Sequence, residues 1–285
     1  MDHPTYENVP YGPDPINVLD LYCAETSDPA PLYIYNHGGG FCGGDKNEMQ
    51  PDFRAKLLKA GISVAGVNYR LSETAPYPAA MTDCVRGLQF LRHKAGEWNL
   101  DPTRVAAGGG SAGGGITFWI GFNQDFADPS SDDPVERESS ALTCIACWNT
   151  QSSYDPNYIR TIIKGTAYRV EVLQTFFRVK PEQYEEPRFR RQFEEASALN
   201  IVTAEAPPTF VWYPTDNVMP DDIDDGHGIH HPRFGEVLKE KMDTLGGDCT
   251  IRFREDLPAD FTDTQVWEHY HTEVVDFVKQ HFNMA

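Results

Sequence analysis

The chain has 285 residues, of which 40% are hydrophobic, enough to bury a large core in one domain. Its net charge of −19 argues against nucleic acid and anionic membrane surfaces as partners. No run approaches the roughly 18 apolar residues of a membrane helix. Residues 1–15 lack the basic start and apolar stretch of a signal peptide. We therefore expect a cytoplasmic protein that binds neither nucleic acid nor membranes, and a homodimer is left open.

Short apolar segments alternate with amphipathic segments along the chain. This alternation predicts the α/β class, with a mostly parallel sheet covered by helices on both faces. In such sheets, sites form beyond the carboxyl ends of the strands. The predicted strands are 16–22, 32–36, 63–69, 104–108, 142–148, 208–213 and 250–254, and the predicted helices are 49–59, 79–94, 112–123, 234–243 and 266–281.

The first glycine motif, His37-Gly38-Gly39-Gly40-Phe41, closes a predicted strand. Glycines let the main chain approach a bound group closely and adopt unusual φ angles. A serine acyl transfer needs several backbone N–H groups aimed at one developing oxyanion. We expect Gly38 and Gly39 to supply two of these donors. A tight glycine turn without catalytic role is the alternative.

The second glycine motif surrounds Ser111 in Gly-Gly-Gly-Ser-Ala-Gly-Gly-Gly, between a predicted strand and a predicted helix. A G-x-S-x-G sequence at such a corner predicts a nucleophile elbow, in which the serine hydroxyl is exposed above the sheet. The N–H of Ala112 would then be a further oxyanion donor. The segment lacks the Lys-Ser/Thr ending of a phosphate-binding P-loop, and its glycines do not fall as G-x-G-x-x-G.

These two motifs and the segments around them resemble the hormone-sensitive-lipase-like branch of the α/β-hydrolases, and the resemblance extends over about residues 18–282. That resemblance implies an α/β-hydrolase fold, carboxylesterase activity and no cofactor or metal. One departure is that Gly110 stands where the family usually has an acidic residue. The segments that carry the resemblance are 37–41, 67–71, 77–80 with Asp83, 100–105 and 109–113.

Two of the six cysteines form a C-x-x-C sequence at Cys144 and Cys147. They lie in an apolar run with no second pair to complete a metal site, so we expect a buried strand rather than a metal centre. The other cysteines show no spacing typical of a disulfide framework.

The segment at about 151–205 interrupts the alternation of strands and helices. It is rich in aromatic and arginine residues and lies between two predicted strands. Its position matches the cap insertion of this fold. We therefore predict a single α/β-hydrolase domain over 1–285 with a small helical cap that covers the acyl pocket, the alternative being ordinary packing helices.

A serine nucleophile needs a histidine base and a group that fixes the tautomer of that base. Asp216 follows the strand predicted at 208–213, where the resemblance places the acid. The resemblance places the histidine just after the last strand, but residues 255–261 contain none. This stretch is similar to the family's Gly-His-Gly-Phe region with its histidine replaced by Ala259 or Asp260.

The base must therefore come from elsewhere, and two regions supply candidates. His227, His230 and His231 lie in the loop after Asp216, and we assign His230 as the catalytic base. His269 and His271 in the last helix are the alternatives. The three loop histidines could instead be surface residues, substrate contacts or metal ligands. Their spacing is not typical of a metal site.

Two functions remain open at this level. The first is a serine carboxylesterase in which Ser111, His230 and Asp216 act on short or medium acyl esters or aromatic esters, the expected partner being a small neutral ester. The second is a ligand-binding protein that keeps the hydrolase scaffold but lost its triad histidine. Intact glycine motifs favour the enzyme, and the missing histidine favours the binder.

Overall fold

The structure is a computed structural model that describes residues 3–284. All seven predicted strands occur, and a further strand precedes them. That strand, which sequence analysis missed, contains Glu7, Asn8 and Pro10 and has little apolar alternation. It lies at the edge of the sheet, where a proline is tolerated. The strands are β1 (Tyr6–Pro10), β2 (Val18–Tyr22), β3 (Ala30–Asn36), β4 (Ser63–Val67), β5 (Leu100–Gly110), β6 (Cys144–Trp148), β7 (Thr209–Tyr213) and β8 (Cys249–Phe253).

The strands form one sheet in the order β1-β2-β4-β3-β5-β6-β7-β8. β2 runs antiparallel to both of its neighbours, and all pairs from β4 to β8 are parallel. The prediction of a mostly parallel sheet is therefore confirmed. Because β3, β5, β6 and β7 run in one direction, their carboxyl ends meet along one edge of the sheet.

Helices cover both faces of this sheet. They are α1 (Pro51–Lys59), α2 (Ala79–His93), α3 (Ala112–Phe122), α4 (Pro156–Ile162), α5 (Glu171–Phe177), α6 (Pro187–Ala196), α7 (Ala198–Ile201), α8 (Asp225–Ile229), α9 (Arg233–Leu245) and α10 (Asp263–His281).

Alternate residues of each central strand pack into different cores. Tyr33 and Tyr35 of β3 belong to the core beneath α1 and α10, whereas Leu32 and Ile34 belong to the core beneath α2, α3 and α9. Successive side chains of a strand point to opposite faces, so residues 30–35 of β3 are all apolar or aromatic.

The same alternation separates the two cysteines of β6. Cys144 packs into the core beneath α10, and Cys147 packs into the opposite core. Both are buried and free. Thiols on opposite faces of a strand do not converge on one metal ion, because side chains three residues apart alternate.

Helices α4 to α7 all lie between β6 and β7, within the segment predicted as a cap. Phe176 of α5 stacks on Phe41 of the first glycine motif, with ring centroids 3.8 Å apart. Phe177 continues this apolar contact to Phe193 of α6. The segment is therefore anchored on the loop that carries the predicted oxyanion donors.

Within residues 3–284, no helix combines the length and apolarity needed to cross a lipid bilayer. This agrees with the absence of a long apolar run in the sequence.

Candidate active site

Ser111 lies at the corner between β5 and α3 with φ 50° and ψ −122°. This backbone conformation is strained for a residue with a side chain, and such strain is common at functional sites. The corner is possible because its neighbours are glycines. A Cβ atom on Gly109 or Gly113 would lie 2.2 or 2.0 Å from the carbonyl oxygen of Asn36. The sharp turn and its glycines thus have the geometry of a nucleophile elbow.

The end of β6 holds this corner in place. The backbone N–H of Ser111 donates to the carbonyl oxygen of Trp148, at 3.0 Å. Gly110 is also needed here, because a Cβ at that position would lie 2.3 Å from the indole nitrogen of Trp148.

The first glycine motif curves over the elbow. Gly39 and Gly40 have φ angles of 95° and 60°. Their N–H groups and that of Ala112 donate no hydrogen bond to any described residue. All three residues line the cavity above Ser111. Ala112 is also the first residue of α3, where the helix dipole favours negative charge.

The structure places the two glycines predicted as donors differently with respect to this cavity. Gly39 lines the cavity together with Gly40, and Gly38 does not. A Cβ at Gly38 would lie 3.1 Å from the carbonyl oxygen of Gly110, so this residue packs against the elbow instead. The motif alone does not reveal which glycines face the site, because this depends on the positive φ angles of Gly39 and Gly40.

His37 supports the glycine loop from below. Its ring stacks on Tyr69 at 4.1 Å between centroids, and its Nδ1 donates to the carbonyl oxygen of Gly38 at 2.9 Å. The Tyr69 hydroxyl donates to the carbonyl oxygen of His37 at 2.8 Å. Burial lowers the pKa of His37, which keeps the ring neutral.

His230 follows the last residue of α8 and contacts the serine. Its Nε2 lies 2.9 Å from Oγ of Ser111, and its Nδ1 lies 2.8 Å from the carbonyl oxygen of Gly226. A carbonyl oxygen only accepts hydrogen bonds, so Nδ1 carries the proton and Nε2 is free to accept one. Burial lowers the pKa of His230, although the bond to Gly226 opposes this effect. The ring is therefore neutral near pH 7 and has the protonation state that a general base requires.

The structure does not bring Asp216, the expected partner of His230, into contact with that histidine. Nε2 of His227 lies 2.9 Å from the carbonyl oxygen of Asp216 and 3.6 Å from its carboxylate. Within residues 3–284, the Asp216 carboxylate makes no hydrogen bond to His230. Asp216 does follow β7, but the irregular segment 217–224 between it and α8 brings His227 to it instead.

The remaining histidine candidates are occupied elsewhere. His231 is buried and its Nδ1 accepts from the N–H of Arg233 at 3.0 Å. His271 stacks on Phe53 of α1 at 4.7 Å. His269 lies 3.7 Å from Glu273 on the surface of α10.

The cavity above Ser111 has a volume of about 310 Å³. Its walls are mainly apolar and come from the glycine loop, the elbow, the cap and α8. A larger groove of about 820 Å³ between the cap and α9 contains neither Ser111 nor His230. The residues that line the smaller cavity are Gly39, Gly40, Phe41, Ser111, Ala112, Gln151, Tyr154, Val172, Leu173, Ile229 and His230.

Sequence analysis missed Gln151, which lies three residues after β6. Its side-chain amide donates to the carbonyl oxygen of Ile229 at 2.6 Å, next to His230. A glutamine in a loop gives no signal of this contact, because its partner lies 78 residues away in the chain.

A sheet of this topology with an elbow serine, a histidine at hydrogen-bond distance and a glycine loop defines the class of α/β-hydrolases. The BD-FAE family model matches residues 19–222. The chain therefore belongs to the BD-FAE family, and the resemblance to hormone-sensitive-lipase-like hydrolases is confirmed.

Curated relatives match over shorter regions. Carboxylesterase NlhH of Mycobacterium tuberculosis is 39% identical over 90 residues, which is 32% of this chain and 28% of that protein. Tuliposide A-converting enzyme 2, chloroplastic, of Tulipa gesneriana is 33% identical over 121 residues, or 38% of this chain and 30% of that protein. The chain thus spans under a third of the length of these relatives.

Solved structures share the fold over nearly the whole chain. A truncated form of a carbohydrate esterase from gut microbiota is 19% identical with a TM-score of 0.73, covering 99% of this chain and 98% of that one. Esterase Est2 from Thermogutta terrifontis is 17% identical with a TM-score of 0.66, covering 92% and 86%. The predicted α/β-hydrolase fold is therefore confirmed.

Proposed function

We propose that this protein is a serine carboxylesterase in which Ser111 is the nucleophile and His230 the general base. The observation that carries the proposal is the 2.9 Å contact between Oγ of Ser111 and Nε2 of His230. The bond from Nδ1 to Gly226 supports it, because it leaves Nε2 as the acceptor. The name of one curated relative, carboxylesterase NlhH, agrees with ester hydrolysis.

The proposed reaction has two halves. His230 takes the proton of Ser111 as Oγ attacks the ester carbonyl carbon, and the carbonyl oxygen becomes an oxyanion. The N–H groups of Gly39, Gly40 and Ala112 donate to this oxyanion. His230 then gives its proton to the departing alcohol, and an acyl-enzyme remains on Ser111.

In the second half, water replaces the alcohol. His230 removes a proton from this water, which attacks the acyl carbonyl and forms a second oxyanion in the same hole. Collapse of this intermediate returns the proton to Oγ and releases the carboxylic acid. None of these steps uses a metal or an organic cofactor.

The small apolar cavity favours short or medium acyl groups and aromatic esters. Val172 and Leu173 of the cap and Phe41 of the glycine loop form apolar walls close to the serine. Est2 of Thermogutta terrifontis is described with propionate and with butyrate bound, which agrees with small acyl groups. The net charge of −19 favours neutral esters over anionic ones.

The alternative function, a ligand-binding protein without catalysis, rested on a missing histidine. His230 lies at hydrogen-bond distance from Ser111 and can take the place of the missing histidine, so we favour the enzyme.

The test is hydrolysis of p-nitrophenyl acetate, butyrate and octanoate by the wild type and by Ser111→Ala and His230→Ala. We expect serine-dependent turnover that falls by about 10³–10⁶ in each variant. An inactive wild type, or an equally active Ser111→Ala variant, would overturn the proposal. Labelling of Ser111 by a fluorophosphonate, located by peptide mass spectrometry, identifies the nucleophile independently.

A further inference from the structure

We propose that Gln151 is the positioning residue for His230 and fixes the base against the nucleophile. This inference rests on the proposed function of Ser111 and His230. The side-chain amide of Gln151 donates to the carbonyl oxygen of Ile229 at 2.6 Å and lies 3.4 Å from the carbonyl oxygen of Asn149. The residue is buried, with 3% of its surface exposed.

His230 needs a positioning contact of this kind because α8 is too short to be stable by itself. It has five residues, and an isolated helix of this length is unstable in water. The group that orients the imidazole, the carbonyl oxygen of Gly226, belongs to the same helix. The bond to Gly226 therefore fixes the ring relative to α8, but it does not fix α8 relative to Ser111.

The chain after β6 supplies that second link. The carbonyl oxygen of Trp148 accepts the N–H of Ser111, and Gln151 three residues later donates to the residue before His230. One strand end thus holds both the nucleophile and the base. Since Oγ and Nε2 are 2.9 Å apart, a shift of α8 by about 1 Å would break the contact between them.

The segment that carries Gln151 is itself held by three hydrogen bonds, two to β7 and one to α9. The Tyr213 hydroxyl donates to the carbonyl oxygen of Thr150 at 2.6 Å, and the Ser152 hydroxyl donates to the carbonyl oxygen of Phe234 at 2.7 Å. The N–H of Asn149 donates to the carbonyl oxygen of Trp212 at 2.9 Å. Because this segment is bonded to the sheet, its hydrogen bond to Ile229 fixes α8 relative to the sheet.

The other side-chain hydrogen bonds of α8 in the described part of the chain lie near its start, although Ile229 at its end also packs against the apolar core. Asp224 caps the first turn by accepting from the N–H of His227. Asp225 accepts from the Thr166 hydroxyl of the cap segment. Both hydrogen bonds lie at the start of the helix. Within residues 3–284, the bond from Gln151 is the side-chain hydrogen bond that reaches the main chain next to His230.

The experiment compares the variant Gln151→Met, which keeps the length of the side chain but has no N–H donor, with Gln89→Met as a matched control. Gln89 is a buried glutamine of α2 whose amide donates to the carbonyl oxygens of Glu136 and Glu138 away from the cavity. Both variants lose a buried amide, so a general effect on stability appears in both. Kinetic constants for p-nitrophenyl acetate, melting temperatures and fluorophosphonate labelling rates are measured for each.

We expect kcat of Gln151→Met to fall about 10- to 100-fold with little change in KM, and its labelling rate to fall in parallel. Gln89→Met should keep the wild-type kcat. In the double variant Gln151→Met with His230→Ala, the loss should be no greater than in His230→Ala alone, because Gln151 acts through His230.

Two results would overturn the inference without touching the proposed function. One is a Gln151→Met enzyme with wild-type kcat, and the other is a loss that adds fully to that of His230→Ala. An enzyme in which KM alone rises would make Gln151 a substrate contact rather than a positioning residue. If Ser111→Ala and His230→Ala leave hydrolysis unchanged, the proposed function itself has failed.

Discussion

His230 directly follows α8, and Nδ1 of its imidazole lies 2.8 Å from the carbonyl oxygen of Gly226 in that helix. A main-chain carbonyl thus occupies the position that a carboxylate takes in a Ser-His-Asp triad. It fixes the tautomer as a carboxylate does, but it carries no full negative charge to stabilise the imidazolium.

The pH dependence of kcat/KM should show an inflection below the ordinary histidine value of 6.5. Burial lowers the pKa of His230 against the opposing effect of the bond to Gly226, and no carboxylate within residues 3–284 pairs with the ring. The base acts in its neutral form, so activity rises with pH through this lowered pKa and stays constant above it. Initial rates with p-nitrophenyl acetate between pH 4.5 and 8 measure the profile. An inflection above 6.5 would mean that a carboxylate reaches His230 in the working enzyme.

Asp216→Asn should reduce kcat less than tenfold, whereas His230→Ala should reduce it by three orders of magnitude or more. The Asp216 carboxylate lies 3.6 Å from His227 on the surface and does not contact His230. Steady-state kinetics of both variants decide the point. Equal losses in the two variants would restore Asp216 as the acid of the triad.

Gly40→Ala should reduce kcat at least tenfold, and Gly43→Ala should not. A Cβ at Gly40 would lie 2.8 Å from Cγ1 of Val172, and its φ of 60° is strained for alanine. Val172 or the loop must shift, and we expect the strain at this φ to move the loop and displace the N–H groups proposed to bind the oxyanion. A Cβ at Gly43 meets nothing within 4 Å, so this variant is the matched control. A Gly40→Ala enzyme with wild-type kcat would show that the loop tolerates the shift.

The wild type should lose stability as the pH falls from 7 to 5, and the variant His271→Phe should lose less. Burial, with a smaller contribution from Lys56, lowers the pKa of His271 from 6.5 to about 4. Between these values the unfolded chain binds a proton that the folded protein excludes, so the wild type loses stability as the pH falls from 6.5 towards 4.

The corresponding change in the free energy of unfolding is about 2 kcal/mol between pH 7 and pH 5. Phenylalanine does not titrate and retains the stacking on Phe53, so the variant lacks this loss. Urea unfolding of both proteins at pH 7 and pH 5 gives the difference directly. The same slope in both proteins would mean that His271 titrates normally.

The sequence by itself determined the fold and the sharp glycine corner at Ser111, the proposed nucleophile. Ser111 follows from local rules, because only glycines fit around a serine at φ 50° between a strand and a helix. The sheet follows from the alternation of apolar strands with amphipathic helices, and β1 was missed because it is a polar edge strand. The oxyanion loop was found as a motif, while the choice of Gly40 over Gly38 depended on backbone angles that the motif does not specify.

Only the tertiary structure decided what surrounds Ser111. His230 was assigned as the base from three neighbouring candidates, and its contact with Ser111 joins residues 119 positions apart in the chain. Asp216 lies where sequence placed it, yet the path of the chain to α8 turns His227 towards it. Gln151 carries no signal in the sequence at all. Strand ends and glycine corners are dictated by neighbours in the chain, whereas the position of a side chain on a five-residue helix depends on every segment that packs against it.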